Sequence, residues 1–252
     1  MSNPLEPLST SVARLHGLVE PMDESQLTAS AYPTEWTVAD VLSHLGSAAV
    51  IFDRRIDDSI SGASTPAEFS QSVWDEWNAK SPNSQASDSL AAVASLLEVL
   101  RALSPEDRGR VKVNMGPVEL DFDALVGLSL NEHVLHTWDI EVTSNSNAVL
   151  APDAVETVLT SLGLIARFAA RPTDAQREIV VTTSDPTRVF TFALSPDAVS
   201  MSEGGEAAAA DVRLPAEAFI RLVYGRLDRD HTPSGVAEGE DLDELRKVFP
   251  GL

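Results

Sequence analysis

The sequence contains no cysteine among its 252 residues. This absence excludes disulfides, zinc sites built from thiolates and a cysteine nucleophile. Any thiol chemistry would therefore need a thiol molecule supplied from outside the chain.

Basic residues are also scarce, because 18 Lys and Arg face 39 Asp and Glu, for a formal net charge of -21. Nucleic acids and anionic membranes are held by cationic side chains, so neither is expected as a partner. The N-terminal "MSNPLEPLSTSVARL" lacks the pattern of a signal peptide, and no later window approaches ~18 uninterrupted apolar residues. We expect a soluble, cytoplasmic protein, and the length favours two domains.

Helical periodicity dominates the first two-thirds of the chain. Thr37 is a suitable N-cap for the second helical segment, and Pro105 follows the end of the third. Long helices joined by loops predict an antiparallel bundle over residues 1–172. The five helical segments cover residues 8–20, 37–60, 87–103, a stretch that starts near 121, and 151–170.

Short alternating segments predict β-structure in two places. Between the third and fourth helices, "RVKVNMGPVELDF" is typical of a hairpin around an Asn-Met-Gly-Pro turn. After "RPTDAQR", short β-branched runs precede two helical segments, "AEAFIRLVYGR" and "DLDELRKVF". We predict an α+β fold, with an N-terminal antiparallel four-helix bundle and a smaller α+β domain containing an antiparallel sheet over residues 175–252.

The fourth helical segment carries several ionisable side chains in "LSLNEHVLHTWDIEV". A rotation of about 100° per residue puts Glu132, His136 and Asp139 on an arc with apolar leucines. Glu132 and His136 are four residues apart and emerge from the same face. A buried carboxylate needs a cation or donors, and a metal would satisfy both residues. The arc predicted to face water holds Asp123, Ser129, Asn131, Thr137 and Glu141.

The second helical segment offers a third ligand, His44, at the edge of its apolar stripe. Two histidines and one carboxylate from two helices leave a position open, which is the ligand count of a catalytic site. Zinc suits these ligands, and iron, nickel and manganese also remain open. Asp139, one turn beyond His136, is either an ordinary helix carboxylate or the acceptor of that imidazole's second N–H.

The other histidines and the tryptophans fit structural roles more simply. His16 and His133 have no partner visible in the sequence and are interpreted as surface or structural residues. The tryptophans are more typical of packing anchors than of a substrate cage. They are Trp36, Trp74, Trp77 and Trp138.

Three motifs in this order resemble one known family. "EWTVADVLSHL" resembles the Trp-Thr-x-x-(Asp/Glu)-x-x-x-His-Leu opening of the DinB-like bundle in the mycothiol-dependent maleylpyruvate isomerase family, and "NEHVLHTWD" is similar to its Glu-x-x-x-His-x-x-Asp segment. "LPAEAFIRLVYGR" followed by "VAEGEDLDELRKVF" resembles the family's sterol-carrier-like second domain. The resemblance implies that His44, Glu132 and His136 bind the metal. It also implies that Arg226 reaches the active site and that mycothiol, a low-molecular-weight thiol, is the cosubstrate.

These features predict a metal-dependent enzyme that activates a small thiol against a small electrophile. In S-transfer the thiol stays on the product, whereas in cis-trans isomerisation of a maleylpyruvate type it leaves again. Such a dianion would need several cations, and the chain has only three lysines. We therefore expect an S-transferase of detoxification or metabolite conjugation, monomeric or homodimeric, although the positions of Arg54, Arg55 and Arg213 could reverse this preference. A non-catalytic apolar-ligand-binding or metal-stabilised interaction protein is the alternative class.

Overall fold

The computed structural model describes residues 4–115 and 118–251. The chain divides into two compact units, Met1–Asn145 and Ser146–Leu252. The helices are α1 (Leu5–Val19), α2 (Glu24–Leu27), α3 (Val38–Ser61), α4 (Phe69–Asn78), α5 (Pro82–Ala102), α6 (Pro105–Arg110), α7 (Phe122–Glu141), α8 (Pro152–Ala169), α9 (Ala216–Val223) and α10 (Glu240–Val248). The strands are β1 (Val113–Asn114), β2 (Glu119–Leu120), β3 (Arg177–Ser184), β4 (Val189–Leu194), β5 (Val199–Glu203) and β6 (Val212–Pro215).

Four long helices, α1, α3, α5 and α7, build the first unit. Helix α3 lies against α4, α5 and α7, while α1 lies against α5 and α7. Gly46 permits the close approach around α3, because a Cβ there would lie 2.3 Å from the Trp77 ring and 2.9 Å from the Cα of Ser89. The predicted helical bundle in the N-terminal part of the chain is confirmed.

Polar caps determine where the long helices begin. Thr37 and Asp40 form a capping box at the start of α3, as the sequence predicts for Thr37. Asp121 accepts a hydrogen bond from the first turn of α7. Helix α5 begins at Pro82, ahead of the predicted start behind Ser87 or Asp88, because Ser81 caps it and Pro82 suits its first turn.

The predicted hairpin is present as the antiparallel pair β1 and β2. Val113 lies opposite Leu120, and Asn114 lies opposite Glu119. Residues 116 and 117 of the predicted turn lie outside the described residues. The hairpin leads directly into Asp121 and therefore sets the start of α7.

The second unit contains a four-stranded sheet in the order β5-β4-β3-β6. Strands β3, β4 and β5 are antiparallel neighbours, as predicted, but β6 runs parallel to β3. The sheet is therefore mixed rather than antiparallel throughout. After β5 at one edge of the sheet, the chain crosses to the other edge, where β6 pairs with β3. Phe219 of α9 stacks on Phe190 at 4.6 Å between ring centroids and meets Phe192 edge-on, and these rings form part of the core.

Helix α8 belongs to the second unit. It lies against α9 and β5, and a Cβ at Gly163 would be in ordinary contact with Met201. The predicted division at residues 172 to 175 therefore differs from the observed one at 145 to 146. Helical periodicity marks α8 as amphipathic but does not say which core covers its apolar face.

The long helices carry polar or charged residues among their apolar ones. Even α3, with 24 residues, alternates buried apolar positions with charged ones. In the part of the chain that the structure describes, no helix combines the length and the apolar character needed to span a membrane.

Candidate metal centre

Three side chains from two helices of the first unit converge. His44 comes from α3, and Glu132 and His136 come from α7. The Nε2 atom of His44 lies 3.0 Å from Oε2 of Glu132, and Nε2 of His136 lies 3.4 Å from the same oxygen. One ligand atom from each residue lies within 4.8 Å of the other two. Because the His44 and Glu132 side chains are 37% and 29% exposed, the group opens to solvent on their side.

This donor set fits a divalent metal. Ligands of a tetrahedral zinc ion lie about 2.0–2.1 Å from the metal and so about 3.3 Å from one another. The two separations of 3.0 and 3.4 Å agree with that spacing. Three protein ligands also leave a coordination position for water or substrate. The structure thus brings the three predicted ligands together, and metal binding by them stays a prediction.

Glu132 supplies the negative charge of the group. Burial opposes ionisation of its carboxyl, but hydrogen bonds from His136 and His44 outweigh burial and hold the pKa of Glu132 far below its usual range. The carboxylate is therefore ionised at neutral pH and favours a cation beside it.

Asp139 orients the imidazole of His136. Its carboxylate is fully buried and lies 2.8 Å from Nδ1 of His136. A carboxylate can only accept here, so Nδ1 carries the proton and Nε2 faces the group. Burial lowers the pKa of His136, but hydrogen bonds to Asp139 and Glu132 raise it above its ordinary value overall. The contact is the one proposed from sequence for Asp139.

The neighbouring histidine, His133, lies outside the group. It is buried, and its Nδ1 has no hydrogen-bond partner among the described residues. Burial lowers the pKa of His133 to about 4, so the ring is neutral. His16 lies at the surface, 3.6 Å from Glu20. Both residues have surroundings that fit the structural or surface interpretation.

Comparison with protein families matches residues 8–141 to the family described as "Mycothiol maleylpyruvate isomerase N-terminal domain". This match covers more than half of the chain. The chain belongs to this family. The membership confirms both the resemblance seen in the motifs and the prediction of an enzyme.

Two solved structures share the fold of this family member. The "Crystal structure of the mycothiol-dependent maleylpyruvate isomerase" has a TM-score of 0.67 and 15% sequence identity, with 94% of each chain covered. A second structure, of a mutant in which alanine replaces a histidine, has the same TM-score and coverage at 14% identity. At these identities the likeness shows the fold alone. No curated protein matches the chain.

Trp36 contacts this candidate centre, which the sequence prediction missed. The indole is 37% exposed. Its ring centroid lies 5.5 Å from that of His44 and 6.2 Å from that of His136, nearly parallel to the second ring. The position of Trp36 just before the cap of α3, two helical turns from His44, is the only signal of this contact in the sequence.

The interpretation of the tryptophans as packing anchors is therefore partly wrong. Trp77 and Trp138 are buried, as predicted. Trp36 and Trp74 are exposed. Residue type alone could not distinguish the buried tryptophans from the exposed ones, because an indole is stable both in a core and at a half-exposed surface.

The prediction that one arc of α7 faces water is wrong for most of its members. Ser129, Asn131 and Thr137 are buried. Helix α7 lies against both α1 and α3, and Glu141 of the arc forms an ion pair of 2.6 Å with Arg14 of α1. Because neighbours cover α7 on more than one side, its polar residues do not mark a solvent face.

Arg226 lies in the second unit, in the loop that follows α9. Its Nη1 donates to the carbonyl of Tyr224 at 2.8 Å. The preceding Gly225 has a φ of 72°, and a Cβ there would lie 2.2 Å from the backbone nitrogen of Gly251. The backbone that carries Arg226 is thus closely held, and its reach to an active site stays a prediction.

Proposed function

We propose that this family member is a mycothiol-dependent cis-trans isomerase of the maleylpyruvate type, with a divalent metal at His44, Glu132 and His136. The observation that carries the proposal is the convergence of these side chains in a chain of the isomerase family. The sequence-based preference for S-transfer has no comparable support.

That preference rested on the scarcity of cations and was open to reversal by the positions of three arginines. Arg54 is neutralised by Asp58 at 2.8 Å. Arg55 donates to the Ser70 hydroxyl, a backbone carbonyl and a thioether, and Arg213 donates to a backbone carbonyl. Arg55 and Arg213 keep their charge beside these neutral groups, but none of the contacts is with the candidate centre, so the isomerase proposal rests on the family match and not on the arginines.

The chain's own residues would prepare the centre for a thiol. His44 and His136 would bind the metal through Nε2, and Glu132 through a carboxylate oxygen. When bound, the metal would supply Lewis acidity and lower the pKa of a thiol from about 8.5, so that thiolate is present at neutral pH. Asp139 would hold His136 in the required orientation throughout.

The isomerisation requires no net gain or loss of protons or electrons. The thiolate adds to one carbon of the cis double bond, a C–S bond forms, and the π electron pair moves onto the conjugated carbonyl as an enolate. After rotation about the new single bond, the enolate restores the double bond in trans geometry and expels the thiolate. Arg226 would stabilise a substrate carboxylate or the enolate charge.

The decisive experiment measures metal content and turnover together. Purified protein is analysed for metal and then assayed with mycothiol and maleylpyruvate, beside His44→Ala and Glu132→Ala. We expect metal in the wild type, trans product, and loss of both in the two variants. His16→Ala is the matched control, because this exposed histidine lies outside the group.

The fate of mycothiol separates the two reactions. Isomerisation regenerates it, whereas S-transfer consumes one thiol for each product and leaves a thioether that mass spectrometry detects. A metal-free wild type grown with sufficient metal would contradict the site. Bound metal without any thiol-dependent turnover would favour the non-catalytic alternative.

The finer assignments remain part of this proposal. Zinc is the metal that the donor set suits best. A cytoplasmic location and a monomer or homodimer are also proposed, as are the descriptions of the two domains as DinB-like and sterol-carrier-like. A detoxification role belongs to the S-transfer alternative.

A further inference from the structure

The backbone of Trp36 is hydrogen-bonded on both its N–H and its carbonyl, although the residue is partly exposed. Its backbone N–H donates to the carbonyl of Pro33, and its carbonyl accepts from Ala31, both at 2.8 Å. The same loop is tied to α7, because the N–H of Tyr32 donates to the backbone carbonyl of Asp139 at 3.1 Å. The loop is therefore anchored beside the carboxylate that orients His136.

The indole stands beside the solvent-exposed side of the candidate centre. Its plane is inclined by 21° to the ring of His136, so one face turns toward that ring. In the described part of the first unit, Trp74 and Met115 are the other large exposed apolar side chains, and no ring contact joins either of them to a candidate ligand. Small-molecule sites are typically lined by aromatic side chains beside a few polar groups, and Trp36 has this relation to His44 and His136.

We propose that Trp36 contacts the electrophilic substrate and selects flat, conjugated unsaturated acids over saturated chains of the same charge. This inference rests on the proposed function, because it assumes that the acceptor approaches the open side of the centre. A planar π system gains stacking contact with an indole, whereas a flexible saturated chain must first lose conformational freedom. The contact is worth about a fivefold to tenfold preference in binding.

The competing explanation is that Trp36 only supports the rings of His44 and His136. In that case its replacement would weaken metal binding and leave the choice between flat and saturated acids unchanged. The two explanations therefore differ in measurements that do not depend on turnover.

The test uses the full chain loaded with zinc and two four-carbon dianions, fumarate and succinate. Fumarate is flat and conjugated, and succinate has the same charge without the double bond. Their dissociation constants are measured by calorimetry for the wild type, Trp36→Leu, Trp36→Phe and Trp74→Leu. Trp74→Leu is the matched control, because it removes an exposed indole that makes no ring contact with the candidate ligands.

We expect the wild type and Trp74→Leu to prefer fumarate about fivefold to tenfold, Trp36→Leu to lose the preference, and Trp36→Phe to keep part of it. Zinc content should be equal in all four proteins, and fumarate should change indole fluorescence in the wild type but not in Trp36→Leu. An unchanged preference in Trp36→Leu overturns the inference, as does a wild type without preference. Absence of mycothiol turnover alongside an intact fumarate preference would defeat the proposed function and leave the role of Trp36 standing.

Discussion

Each unit of the molecule contains a buried ionisable group, but the two differ in how its charge is satisfied. In the second unit, Arg221 is almost fully buried, and both its Nε and Nη2 donate to the carboxylate of Glu217, at 2.8 and 2.9 Å. The third nitrogen of Arg221, Nη1, donates hydrogen bonds to the backbone carbonyls of Arg226 and His231. This cluster is closed, because charge and hydrogen bonds are matched within the chain.

The group in the first unit is open. Glu132 faces His44 and His136, which neutralise it only while they hold protons, and Asp139 adds a second carboxylate behind His136. At a pH where the imidazoles are neutral, the group has excess negative charge and free nitrogen lone pairs. The contrast separates a buried charge that is matched within the chain from a group that could hold an external cation.

The largest effect is expected from opening the closed cluster. Glu217→Leu leaves the guanidinium of Arg221 buried without its carboxylate, and should lower the free energy of unfolding of the second unit by about 3–5 kcal/mol. Urea denaturation followed by circular dichroism measures the loss, and metal content should not change. Glu156→Ala, at the exposed ion pair with Arg188, is the control and should cost less than about 1 kcal/mol. A comparable loss of stability in both variants would show that the buried Arg221–Glu217 pair contributes no more than an exposed ion pair.

Metal removal should have the next largest effect on stability. This effect should depend on the group formed by His44, Glu132 and His136. With free metal at about 100 times its dissociation constant, binding stabilises the native state by about 2.7 kcal/mol. A chelator should therefore lower the melting temperature of the wild type and leave that of Glu132→Gln unchanged, as calorimetry can measure. An equal chelator effect on both proteins would place the metal elsewhere.

Asp139→Asn tests the orienting carboxylate. We expect metal affinity to fall about 10-fold to 100-fold, because an amide accepts the N–H of His136 without the negative charge that makes the ring a better ligand. Competition with a coloured chelator measures the affinity. Asp123→Asn removes an exposed carboxylate from the same helix and should have no effect. Parallel weakening by both changes would indicate a general charge effect instead.

The pH dependence should have opposite signs with and without metal. The raised pKa of His136 means that a proton competes with metal, so affinity should fall at least about tenfold per pH unit below that pKa. In the metal-free protein the same shift stabilises the fold at low pH, and this contribution is lost as pH rises through the raised pKa. Unfolding measured across this range should show the two trends, and parallel trends would exclude His136 as a ligand.

Much of this molecule was predictable from local sequence. The N-cap at Thr37 and the common face of Glu132 and His136 depend on groups within one or two helical turns, whose geometry any α-helix repeats. The family was recognisable for a similar reason, because its two N-terminal motifs are short segments in α7 and at the start of α3. The position of His44 at the edge of its helix's apolar stripe was also visible in the sequence, but a helical wheel cannot say which other helix packs against that edge.

The residues that the sequence misplaced all depend on neighbours distant in the chain. Ser129 and Thr137 are buried because α7 is packed between neighbouring helices, and α8 belongs to the second unit because it lies against α9 and β5. The loop of Trp36 is tied to α7 by the hydrogen bond from Tyr32 to Asp139, and the Trp36 ring lies against the candidate ligands.

The sequence by itself determined the long helices, the cap at Thr37 and the common face of Glu132 and His136, and it showed that the chain supplies no thiol of its own. Tertiary structure alone decided that His44 completes the group, that Asp139 orients His136, and that Trp36 stands beside them. Local hydrogen bonds and periodicity act over a few residues, whereas the meeting of α3 with α7 depends on how whole helices pack, which no short segment encodes.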